Sequence, residues 1–455
     1  MELYFATGYN LRVVDTEHSG IQKLAFKVVP FASIPLLFWA VWYLLPAERT
    51  IIFLFGPYAL IPLLSLAGWM LWHHYIQMHN IFNFEWTLME IILPKLSTKS
   101  PQSMEIVFGA FNQTYAGTWW TRLTQGTMRT WFSLEIVSIE GRVHFFIRTL
   151  ALFHPAIESA IYGEFPDAKV IVVEDYMKKL RYGPGSDLDV YLWELKLTKP
   201  DPYPIRTYVD YGLDKEGVED EYKTDPTTPI IEYLSSLGPK EYAVVQILVM
   251  YAKNRHKLKE DVKGEKKKKK GMKGDWKDEG KELIDEIVKE KTGKKETKDG
   301  EPDFGVFKLN AADVELIKAI DRSTSKNGYD CGIRLMYAAD KGAFRLDHRL
   351  GLRSMFNVFN SVNLNSFKLK QDTSKDWVIR GWLGWNTYKV KKMKKDMFDA
   401  LRLRSYFYPP HEEHPFVLNA EELATIYHFS PGASIGAGVE RVESKSLEPP
   451  LELPV

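Results

Sequence analysis

The chain has 455 residues, enough for two or three domains. Its 45% hydrophobic and 13% aromatic content excludes disorder along its whole length. Lys and Arg number 60 against 59 Asp and Glu, a net charge of +1, so any attraction to nucleic acid or anionic lipid must come from local patches. The one cysteine, Cys331, excludes an internal disulfide and fits a reducing compartment. In the stretch Cys-Gly-Ile-Arg-Leu-Met-Tyr it reads as a strand residue rather than a nucleophile.

In chain order, residues 1–25 form an N-terminal segment, and residues 26–75 hold two apolar runs, Phe26 to Leu45 and Ile51 to Trp72. Each is about 20 residues, the length of a membrane-crossing helix. Only Pro46 to Thr50 separates them, which predicts an antiparallel transmembrane hairpin. Arg12, Lys23 and Lys27 before it, and Lys95 and Lys99 after it, predict both termini on the cytoplasmic side of the inner membrane. Residues 76–100 then read as an amphipathic connector lying on the membrane surface.

The predicted fold class of the remainder is α+β: two ferredoxin-like sandwich modules, over 101–212 and 213–370. In the first, a helix over Met104–Gln113 precedes a hairpin turning at Glu140-Gly141. A helix over Pro155–Phe165 and a strand over Lys169–Glu174 follow. A second hairpin is predicted from Tyr191–Leu197 and Ile205–Tyr211. The second module reads as a helix over Ile230–Leu237, a strand over Tyr242–Tyr251, a helix over Ala311–Ser325, a strand over Tyr329–Ala338 and a helix over Leu346–Asn360. It is interrupted at 253–303 by a charged insertion containing Lys266 to Lys270, which reads as mobile. That insertion is either a basic arm or a solvated loop.

Chemical motifs are scarce. No phosphate-binding loop is present, and the glycines from Gly432 to Gly438 lack the required lysine. His411 and His414 are three apart between prolines, which does not fit a helical zinc motif, so no metal, cofactor or catalytic residue is assigned. In the C-terminal segment, 371–455, Lys389 to Arg404 reads as a basic amphipathic helix. Met393, Met397 and Leu401 form its apolar stripe, and Lys391, Lys392, Lys394, Lys395, Arg402 and Arg404 form a basic surface. Such a helix touches an anionic leaflet or nucleic acid, or packs on its own domain.

Phe416 to Phe429 (FVLNAEELATIYHF) predicts a short helix capped by Asn419, with Glu421 and Glu422 in its first turn. This segment, with Ser138–Arg148, Phe165–Tyr176 and Phe356–Asn365, resembles the region ahead of the motor in membrane-anchored type IV secretion and conjugation ATPases of the coupling-protein and HerA-like class, candidate-phyla type. The resemblance spans roughly residues 100 to 454 and includes no Walker motif, so hydrolysis is not carried over. It implies a non-enzymatic, membrane-anchored assembly subunit of a type IV secretion-like export apparatus, homo-oligomeric and docking a separately encoded hexameric ATPase. Asn419, Glu421, Glu422, Leu423, Tyr427, His428 and Phe429 are the implied docking residues. The alternative is a membrane-tethered nucleic-acid binder using the basic segments.

Overall fold

The structure, a computed structural model, describes Trp39 and residues 49–94, 99–113, 117–183, 185–214, 225–252, 276–292, 309–373, 385–429 and 441–442. The residues fall into two units, one formed by Met1–Phe82 with Leu123–Gly126 and the other by the rest.

Among the described residues of the first unit, the main element is one helix, α1 (Arg49–Asn83). The run from Ile51 to Trp72 lies within this helix, which continues through His73, His74, Gln77 and His79. Pro62, Ser65 and Gly68 interrupt its apolar text, and Ser65 Oγ donates back to the Ile61 carbonyl at 2.8 Å. Near its end Asn80 donates to the Gly126 carbonyl at 3.0 Å. Among the described residues no helix is long and apolar enough to cross a membrane. This overturns the expected transmembrane hairpin, and with it the multi-pass placement in the inner membrane. Phe26 to Leu45 lies outside the described residues apart from Trp39.

The second unit is α+β and is built on one large sheet. Its elements run β1 (Trp86–Pro94), α2 (Gln102–Val107), α3 (Trp119–Gln125, divided between the units), β2 (Phe132–Ile139), β3 (Arg142–Leu150), α4 (His154–Glu164), β4 (Lys169–Val173) and β5 (Leu188–Leu197). They continue with α5 (Thr228–Ser235), β6 (Glu241–Tyr251), α6 (Trp276–Thr292), α7 (Ala311–Ser325), β7 (Gly328–Asp340), α8 (Leu346–Ser354) and β8 (Phe367–Asp372). The last are α9 (Trp385–Leu403), β9 (Phe416–Asn419), α10 (Ala420–Ile426) and β10 (Arg441–Val442).

Strands β4-β1-β3-β2 lie side by side, then β6-β7-β5-β8, and all these pairings are antiparallel. Each half follows the strand order of a β-α-β-β-α-β unit. The halves join where β2 pairs with β6 from Phe132↔Val249 to Ile139↔Tyr242. The β2–β3 turn places Glu140 at φ 53° and Gly141 at φ 84°, the two left-handed positions of a tight hairpin. Helices α2, α4, α5 and α8 cover one face, where Val107, Ile157, Ile161, Ile231, Leu234 and Leu352 meet Leu134, Phe145, Ile247 and Ile333. The other face carries α9, through Met397, Phe398 and Leu401 against Leu192, Val244 and Met336.

Three local readings change. Residues 86–94, read as a surface connector, form β1, hydrogen-bonded between β3 and β4 with Met89 and Ile91 in the core. Residues 205–211 are not a strand, because their backbone is held by side chains instead of a ladder. Ile205 N donates to Glu422, Thr207 N to Asp210 and Tyr208 N to Thr425 Oγ1. Within the charged insertion, α6 buries Trp276 and Ile287, whereas Lys266 to Lys270 lie outside the described residues.

The sheet leaves no spare volume where the chain crosses it after α9. A Cβ on Gly332 would run into the Tyr406 ring. Gly332→Ala is expected to destabilise the protein by about 1–3 kcal/mol, as overpacking does, measured as a lowered urea midpoint at unchanged slope.

Candidate functional site

In-register pairing carries a line of side chains across the α9 face. Glu135 sits opposite Gln246, Gln246 opposite Arg334, Arg334 opposite Glu194, and Glu194 opposite Gln371. Cross-strand partners share a face, so five strands place a polar row under α9 and the loop that follows it. Glu135, Gln246, Arg334 and Glu194 are all buried, which is costly unless each charge is paired and hydrogen-bonded.

The pairing comes from α9 and its loop. Arg404 donates to both Glu135 oxygens, from Nε at 2.9 Å and Nη2 at 3.1 Å, and also grips Asp175. Ser133 and Tyr176 add hydroxyl donors to Glu135 at 2.6 and 2.8 Å. Burial raises the Glu135 carboxyl, but the Arg404 charge and these hydrogen bonds outweigh it and bring the pKa down to about 2. Arg334 donates to the carbonyls of Ala400 and Ser405, at 3.2 and 2.8 Å, and its Nε lies 3.7 Å from Glu194. Glu194 also accepts from Tyr406 at 3.2 Å and from Lys370 at 2.9 Å. Arg404 holds φ at 52°, a left-handed conformation usually given to glycine at a helix end, so its side chain is what the position requires.

The outer side of α9 is different. Lys391 is exposed, and Lys392, Lys394 and Lys395 are partly exposed. Lys394 lies over the Tyr191 ring at 4.4 Å, and Arg402 pairs with Asp399 at 3.2 Å. The turn after β4 packs Tyr176, Met177 and Leu180 into the same cluster as Met397, Phe398 and Leu401, which brings exposed Lys179 and Arg181 to this side of the sheet. Arg404 does not belong to the basic surface. It is fully buried, because the helix ends there and turns its guanidinium inward.

The segment read as a docking helix is internal. Asn419, Glu421, Glu422, Leu423, Tyr427, His428 and Phe429 are all buried, so they present no face to a partner. Asn419 caps α10 through a reciprocal pair: Glu422 N donates to Asn419 Oδ1 and Asn419 N to Glu422 Oε2, both at 2.8 Å. Glu421 lies 2.8 Å from Lys326 and 3.3 Å from Arg322. The two carboxylates therefore serve different partners. His428 sits 2.8 Å from the Ala424 carbonyl and 3.1 Å from Asp225, while Phe429 packs on Phe145 and Phe165. Tyr427 and Leu423 complete the core here. Burial pushes Glu422 up to about 8, against the pull of the Asn419 and Ile205 N–H groups.

A pair missed in the sequence is Glu241 with His348, 2.9 Å apart and 107 residues apart in the chain. Nothing local marks it. Tyr337 also donates to Glu241, and the trio ties α8 to the sheet. Among the described residues no group of three or more His, Cys, Asp or Glu is arranged to hold a metal ion. No family model matches the chain, and no curated protein matches it.

Arg404→Ala is expected to cost about 3–5 kcal/mol in chemical denaturation, because Glu135 stays buried without its cation. For Glu422 the folded value, about 8, exceeds the ordinary 4.5, so the native state binds the extra proton and stability declines as pH rises between those values. Glu422→Gln removes that decline. The difference in urea midpoint between variant and parent is expected to move in favour of the variant from acid to alkaline pH, and a flat difference would refute the assignment.

Proposed function

We propose that this chain is a non-enzymatic binding subunit that holds nucleic acid on the lysine face of α9. The observation that carries the reading is the division of labour within that helix. Its apolar stripe is used against its own sheet, which leaves Lys391 exposed and Lys392, Lys394 and Lys395 partly exposed, Lys394 lying over the Tyr191 ring, with exposed Lys179 and Arg181 on the turn that packs into the same cluster. A near-neutral chain that gathers cations on one face has a local phosphate-binding surface without a global field. Lysines that reach phosphates give affinity with little sequence preference.

The resemblance to type IV secretion ATPases adds a setting. There, the subunit would hold the transported strand beside a separately encoded motor. Contact with that motor would use surfaces other than Asn419 to Phe429, whose side chains are occupied within the fold.

Fluorescence anisotropy with labelled oligonucleotides tests the reading. Binding is expected at low salt and should weaken steeply as salt rises. Replacing Lys391, Lys392, Lys394 and Lys395 together by Ala should flatten the salt slope by about 3–4, one unit for each lost phosphate contact. No binding at low salt, or a slope unchanged in the variant, would refute it.

A further inference from the structure

We propose that α9 and the loop after it, through His414, form a detachable strap over the sheet. The polar row beneath gives the reason. A helix meant to stay closed over a sheet is held best by apolar contact, because buried ion pairs recover little more than the cost of drying them. Here the contact is divided. Met397, Phe398 and Leu401 supply apolar packing from α9. Beyond Leu401 the buried rings of Tyr406 and Phe407 share the seam with polar contacts: Arg404 on Glu135 and Asp175, Arg334 on two strap carbonyls, Tyr406 on Glu194, and Gln246 on the Leu401 carbonyl at 3.0 Å. Trp131 Nε1 adds a bond to the Arg404 carbonyl at 2.9 Å.

The closed seam is also incomplete. Gln246 Oε1 and Arg334 Nε are buried without a hydrogen-bond partner. Lifting the strap returns both to water and hydrates each ion-pair partner, so the polar half resists opening less than an apolar seam of the same area would. Resistance comes mainly from buried apolar groups, Met397, Phe398 and Leu401 of α9 with Tyr406 and Phe407 of the loop. Strands β6 and β7 differ, with long apolar faces packed on both sides. At its C-terminal end the strap stays tethered where β9 pairs with β7. The open form would bare the row Glu135, Gln246, Arg334 and Glu194. This inference does not depend on nucleic-acid binding.

Hydrogen–deuterium exchange of the full chain tests it. Amides from Met397 to Tyr406 are expected to exchange about tenfold or more faster than those at the centres of β6 and β7, as a sub-global opening requires. Equal protection in the two regions would overturn the proposal. In a Glu135→Leu, Arg404→Met double variant the sealed seam should slow strap exchange toward that of the sheet. Unchanged or faster strap exchange in a double variant with native circular dichroism would also overturn it. If the double variant fails to fold, the comparison within the wild-type chain decides.

Discussion

The ion pair between Arg404 and Glu135 is the constraint on which the second unit turns. It fixes where α9 must end, since Arg404 has to leave the helix in a left-handed turn to reach inward. It fixes the register of β2 against β6, because a slip of one residue would carry Glu135 to the opposite face, among the apolar side chains of α4 and α5. It also sets which face α9 and the loop after it cover. Strand pairing, helix termination and layer order thus meet at one guanidinium.

Burying such a pair is an expensive way to hold a layer in place, and its benefit is specificity. Many apolar stripes would fit the α9 face of the sheet. Only a segment presenting a guanidinium at Arg404, carbonyls at Ala400 and Ser405 and a phenol at Tyr406 satisfies the row below. The same geometry sorts the cations of the segment. Arg404 is consumed inside, whereas the lysines within about four turns before it remain outside, and only those can meet a polyanion.

Much of the local structure was legible in the text. The helix Ala311–Ser325 and the strand ending at Tyr251 are legible in the sequence, and Asn419 reads directly as the cap of a helix with Glu421 and Glu422 in its first turn. Strand β1 was not legible, because its alternation of Trp86, Leu88 and Glu90 suits a membrane surface as well as a sheet, and its partners lie far along the chain. Ile205 to Tyr211 misled for the opposite reason: the residues favour a strand, but Glu422, Asp210 and Thr425 capture the backbone. The apolar run in α1 misled through length, since periodicity does not show where a helix stops. For the candidate site, the lysines could be read from the sequence. The polar row could not, since Glu135 and Arg404 stand 269 positions apart and become neighbours only through pairing.

The seam between β2 and β6 has a consequence for solubility. Each β-α-β-β-α-β half, standing alone, would present an outer strand at β2 or β6 as a template for another chain. Pairing them over eight residues satisfies both at once, and each hides the other's unpaired amides. Doubling the unit in this way removes two sticky borders instead of adding them, so the tandem arrangement protects itself from the adhesion that a single half would invite.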